Sequence, residues 1–86
     1  MPISNDKKKQ FRTVGHGLKP IVTIAGKGLS AGVSAEIERA LRDHELIKIK
    51  LAVDDRGSRK EIIAEICTNA KAESIQEVGK VLLIFR

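Results

Sequence analysis

Thr23 to Gly32 reads TIAGKGLSAG, and its residue types are the ones in this chain most suited to holding a ligand. Three glycines and Lys27 lie between a short β-branched run and the start of a helical pattern. The chain must bend there, with a positive charge at the bend. Backbone N–H groups next to a helix N-terminus attract anions, so the chemistry this loop suits is the grip of a phosphate. Neither common nucleotide pattern fits. A Walker loop requires Gly, four residues and then Gly-Lys-Ser/Thr, and Gly26, Gly28 and Gly32 miss the dinucleotide spacing by one residue.

The remaining reactive residue types do not form a constellation. His16 and His44 are separated by a predicted strand and helix, and neither makes a metal-ligand or nucleophile pattern with Cys67 or the serines. Asp54 and Asp55 precede Arg56-Gly57 and read as a solvated turn. Cys67 stands on an apolar helical pattern beside Ile63 and Ile66, the place of a core residue. The expectation is a protein without catalytic residues, bound metal or cofactor.

The net charge of +5 becomes informative once it is located. Residues 1–29 carry Lys7, Lys8, Lys9, Arg12, Lys19 and Lys27 against Asp6 alone, whereas residues 30–86 carry ten basic and ten acidic groups. The whole excess therefore lies between the N-terminus and the glycine loop, and a one-sided basic surface is what a polyanion seeks. Phe11 and Phe85 are the only aromatics. That is too few for a platform on which bases stack, so the composition points to recognition of a nucleic-acid backbone. The candidate surface is Ala25, Gly26, Lys27 and Gly28 together with Lys7, Lys8, Lys9, Arg12 and Lys19. The alternative is a protein-interaction module whose basic face meets an acidic partner.

These residues need elements to position them. Ser4 can cap a first helix in which Phe11, Val14 and Leu18 recur at helical spacing, with Gly15 and Gly17 loosening its end and Pro20 stopping it. Ile21 to Ala25 reads as a strand. Ser30 can cap a second helix with Val33, Ile37, Ala40 and Leu41 in one apolar stripe. In the following LIKIKLAV, Ile47, Ile49, Leu51 and Val53 alternate with Lys48 and Lys50, the pattern of a strand buried on one face with lysines on the other. Ser58 and Glu61 have the form of a capping box for a third helix bearing Ile62, Ile63, Ile66, Cys67 and Ala70. SIQEV and VLLIF then make an antiparallel hairpin through Gly79 and Lys80.

The order α-β-α-β-α-β-β predicts an α/β fold of the two-layer α+β kind: a four-stranded mixed sheet, with the second and third helices on one face. Both sides of VLLIF are apolar, so a further element has to cover the second face. With 86 residues, a single domain over 1–86 is expected. The longest apolar run, Val81 to Phe85, is too short to span a bilayer, and the N-terminus lacks the apolar segment of a signal peptide. A cytoplasmic monomer is expected.

His16 to Leu51, HGLKPIVTIAGKGLSAGVSAEIERALRDHELIKIKL, together with the closing GKVLLIFR, resembles the CRM domain (chloroplast RNA splicing and ribosome maturation) in its stand-alone, bacterial YhbY-like form. The resemblance runs from about Lys8 to Arg86. It implies a fold similar to the C-terminal domain of translation initiation factor three. It further implies RNA binding without catalysis, and association with ribosomal RNA in precursor large ribosomal subunits during assembly. The family's Gly-x-x-Gly loop, which clamps backbone as in KH domains, falls on Ala25, Gly26, Lys27 and Gly28. Ala25 stands where the family has its first glycine, a change that costs roughly 1 kcal/mol if that position requires a positive φ.

Overall fold

The computed structural model describes residues 3–25 and 28–86. Along them run α1 (Asn5–Gly15), β1 (Pro20–Ile24), α2 (Ala31–His44), β2 (Leu46–Leu51), α3 (Arg56–Ala70), β3 (Glu73–Val78) and β4 (Val81–Phe85). The fold is α+β, with one four-stranded mixed sheet ordered β1-β2-β4-β3. β1 pairs parallel to β2, with Val22 opposite Ile49 and Ile24 opposite Leu51. β2 and β3 both pair antiparallel to β4, the latter as the expected hairpin.

The alternation in β2 creates two chemically different faces. Ile47, Ile49 and Leu51 are buried and join Val22, Ile24, Leu82 and Ile84 from the neighbouring strands. Ile37 and Leu41 from α2 and Ile62 and Ile66 from α3 pack against them, which places these two helices on one face. Each such side chain contributes roughly 1.5–3 kcal/mol on full burial, so this cluster is the main source of stability. Arg86 ties its rim. Its guanidinium donates to Glu38 Oε2 on α2 at 2.7 Å and to the Ala70 carbonyl at the end of α3 at 3.3 Å.

The second face is covered by α1, through Phe11 as its sequence suggests but with Gly15 rather than Val14 in contact. The helix ends at Gly15, with His16 as its C-cap. It stops well before Pro20, which instead opens β1. Val14 is 57% exposed, and the stripe Phe11, Val14, Leu18 is not the packed one. The half-buried residues are Lys8, Phe11 and Arg12, and Gly15 is buried. Phe11 stacks on Phe85 with ring centroids 4.4 Å apart. A Cβ on Gly15 would lie 2.7 Å from a terminal methyl of Leu83. Gly15 thus does more than loosen a helix end, because the absence of a side chain lets α1 lie close on the sheet.

The helix starts follow hydrogen bonding. Ser4 Oγ accepts from the Lys7 N–H and Ser30 Oγ from the Val33 N–H, both at 3.2 Å, so these two caps stand as the sequence suggests. The third does not. α3 begins at Arg56, and its cap is Asp55, whose Oδ2 accepts from both the Ser58 N–H and the Ser58 hydroxyl at 2.8 Å. Ser58 is therefore a donor to the cap, and these hydrogen bonds hold the Asp55 carboxyl below its usual range. Asp54 forms an ion pair with Lys80, linking the turn before α3 to the β3–β4 hairpin. Cys67 is half-buried against the main core, and burial pushes its thiol pKa up, with the Glu73 carboxylate acting in the same direction.

The close approach of α1 makes a testable demand on Gly15. Gly15→Val should lower stability by about 1–3 kcal/mol in urea denaturation, through overpacking against Leu83. The loss should shrink in a Leu83→Ala background, where space is available. Equal losses in the two backgrounds would contradict the contact.

Candidate nucleic-acid interface

The glycine loop leaves the C-terminal end of β1. The Gly28 N–H donates to the Ala25 carbonyl at 3.0 Å. The left-handed bend falls on Gly28 (φ 79°), where an added Cβ would meet nothing within 4 Å. The need for glycine there is thus one of backbone conformation and not of space. Among the described residues, positive φ outside glycine occurs at Glu45 and Lys71, so Ala25 avoids the strain that a left-handed first position would bring. Gly26 and Lys27 lie outside the described residues. The loop's base is anchored: the Ala52 N–H donates to the Ile24 carbonyl at 2.7 Å, and Ser30 caps α2 just beyond.

The direction of α1 decides where the other basic residues go. Phe11 meets Phe85, one turn later Gly15 meets Leu83, and His16 shares a hollow with Lys48, Val78 and Val81. Along β4 the helix therefore runs from the Phe85 end toward the Val81 end. Register places Lys50 opposite Val81 and beside Thr23, so the Val81 end is also where β1 passes into the glycine loop. The N-terminal turn of α1, with Lys7 and Lys9 exposed and Lys8 half-buried, lies at the opposite end. Lys19 is exposed just before β1. At about 3.3 Å per strand residue it stands roughly 20 Å from Ala25.

The candidate residues thus do not converge on a single point. Lys7, Lys8, Lys9 and Arg12 lie on α1 toward one end of the sheet, Lys19 stands just before Pro20, which pairs with Lys48, and Ala25 and Gly28 lie at the other end, where Leu29 already packs into the core under α2. Two further lysines bridge the gap. Lys48 and Lys50 project to the α1 face because Ile47, Ile49 and Leu51 fill the other, and they are half-buried and exposed respectively. Their alternation was visible in the sequence, but only the placement of α1 shows that their face is the basic one.

Carboxylates gather on the opposite side. Glu36, Glu38 and Asp43 belong to α2, Glu61 and Glu65 to α3, and Asp54 and Asp55 to the turn that starts α3. The sheet consequently separates an excess of cations from a mixed surface. Low local acid content strengthens the field felt by an approaching polyanion. Among the described residues no group of three or more His, Cys, Asp or Glu side chains could hold a metal ion, and no helix is long and apolar enough to cross a membrane. The geometry suits electrostatic capture of an extended anionic chain.

Known proteins share this chain's sequence or its fold. A Pseudomonas aeruginosa protein named "Probable RNA-binding protein PA4753" is 45% identical over all of this chain and 83% of its own length. A Haemophilus influenzae protein named "RNA-binding protein" is 44% identical over all of this chain and 88% of its own. A solution structure of a Staphylococcus aureus protein superimposes with a TM-score of 0.87, covering 99% of this chain and 88% of that one at 24% identity, a likeness of fold. Residues 3–86 match the CRS1 / YhbY (CRM) domain, and the chain belongs to that family.

Proposed function

We propose that this protein binds RNA without catalysing a reaction on it, and that it acts in the cytoplasm as a monomer and a single domain over 1–86. In this reading the turn Ala25, Gly26, Lys27 and Gly28 clamps one phosphate, while Lys7, Lys8, Lys9, Arg12 and Lys19 attract the backbone that extends from it. The observation that supports the reading is the one-sided charge of the sequence, four of whose N-terminal cations, Lys7, Lys8, Lys9 and Arg12, ride on α1. The names of the Pseudomonas and Haemophilus relatives support RNA as the ligand.

We further propose that the RNA is ribosomal and is met in precursors of the large subunit, during assembly. A backbone clamp with a wide basic field suits this role, since a folding ribosomal RNA offers phosphate ridges of defined shape more readily than free base edges. The proposal is tested by sedimenting cell extract. The protein should travel with precursor large subunits and be released by RNase. Sedimentation with mature subunits alone, or at the top of the gradient, would refute the assembly role.

The clamp itself makes a sharper prediction. Lys27→Glu and Lys60→Glu change net charge equally, but Lys60 lies exposed on α3, across the sheet from α1. Binding to RNA should show a log–log salt slope of about −3 to −5. Lys27→Glu should weaken binding roughly tenfold and reduce the slope by about one, and Lys60→Glu should do neither. Equal losses in titrations at matched salt would exclude a localised clamp.

A further inference from the structure

Two hollows open on the α1 side of the sheet, one on each side of the turn that joins α1 to β1. The larger, about 380 Å³, is lined by Val14, Ile21, Lys19 and Lys48 among others. The smaller, about 220 Å³, includes His16, Gln76, Val78 and again Lys48. Lys48 is thus common to both. The three large apolar residues that stand out as exposed among those described are Val14 at 57%, Ile21 at 51% and Val78 at 62%, and each lines one of these two hollows.

Their charge is equally one-sided. All ionisable side chains lining the two hollows are lysines or histidines, whereas three other hollows of the surface each include a carboxylate, from Glu38, from Glu36 and Asp43, or from Glu77. Lys19 and Lys48 are thus the charged residues beside these apolar patches, with Glu36 and Asp43 in a separate hollow that shares Ile21 and His44. Apolar patches next to lysines fit a ligand whose apolar parts are joined by anionic links. Single-stranded RNA with its bases turned out has that character, and a duplex, whose base faces are stacked inside, does not. The amide of Gln76 adds a donor and an acceptor for a base edge.

We propose that the two hollows seat unstacked bases of single-stranded RNA, with Lys48 holding the phosphate between them. The proposal rests on the RNA-binding reading above and extends it from backbone to bases. It also supplies a role for exposed Val14, Ile21 and Val78, which backbone capture alone leaves unused. Aliphatic side chains here serve in place of the aromatic platform that the composition lacks. The strand would cross the open part of the sheet between the α1 lysines and the glycine loop.

The test compares an unstructured oligouridylate with an RNA duplex carrying the same number of phosphates, at matched salt. The variant Ile21→Thr/Val78→Thr keeps β-branching and net charge, and both sites are exposed, so the fold should survive. It should bind the oligouridylate about fivefold more weakly and the duplex as well as the parent does. Lys48→Met, which keeps the apolar stem, should lose about tenfold on the single strand, against little for Lys60→Met. Equal effects of the threonine variant on the two RNAs, or none on either, would overturn the base-seating proposal and leave the RNA-binding reading standing. Failure of the parent protein to bind either RNA would overturn both. A loss confined to binding of an alternating Glu-Leu peptide would overturn the proposal in favour of an acidic protein partner.

Discussion

Everything proposed for the α1 side of the sheet depends on how closely α1 can lie on β4. Gly15 has no side chain where a Cβ would stand 2.7 Å from a Leu83 methyl, and one turn earlier Phe11 stacks on Phe85. Together these contacts fix both the height and the direction of the helix. The direction sends the lysine-rich first turn to one end of the sheet and His16 toward the end from which the glycine loop leaves. The coverage is also partial, leaving Lys48, Lys50, Ile21 and Val78 accessible beside the helix. A bulkier residue at Gly15 would lift α1 and change the shape of the hollows on either side of its end.

Separation of charge follows from the same packing. β2 has to be apolar on the side that receives α2 and α3, and its alternation then forces Lys48 and Lys50 to the other side. α1 brings its own lysines to that side, while most carboxylates ride on α2, α3 and the turn before α3. A basic surface thus arises with only a small net charge, because most carboxylates lie on the other side of the sheet, where Arg39, Arg42, Arg56, Arg59 and Lys60 balance them. Among the described residues the ion pairs are Arg86 with Glu38 and Lys80 with Asp54, which serve the far face and the hairpin and do not involve the α1 lysines.

Much of this was legible in the residues. The alternation of β2 and the stripe of α2 are strong periodic signals, and both helices capped by serine began where the hydroxyl predicted. The start of α3 was harder, since Asp55 and Ser58 are both good capping residues three apart, and only the hydrogen bonds decide that the carboxylate accepts and the serine donates. On α1, Phe11 packs as its spacing suggests, but Val14 does not, because the second contact is made through Gly15, which carries no hydropathy signal. For the candidate site, the charge excess and the loop were visible. The roughly 20 Å between Lys19 and Ala25, and the bridging place of Lys48 and Lys50, are tertiary facts that no local pattern encodes.

The central claim is that RNA meets the α1 side of the sheet from end to end. Backbone amide shifts of the full chain, followed by NMR as RNA is added, test it most directly. The account predicts that the largest changes fall on Lys7 to His16, on Ile21 and Thr23, on Gly28 to Ser30 and on Lys48 to Lys50, with the outer sides of α2 and α3 unmoved. Changes centred on Arg39, Arg42 and Lys60, with α1 and the loop silent, would contradict it.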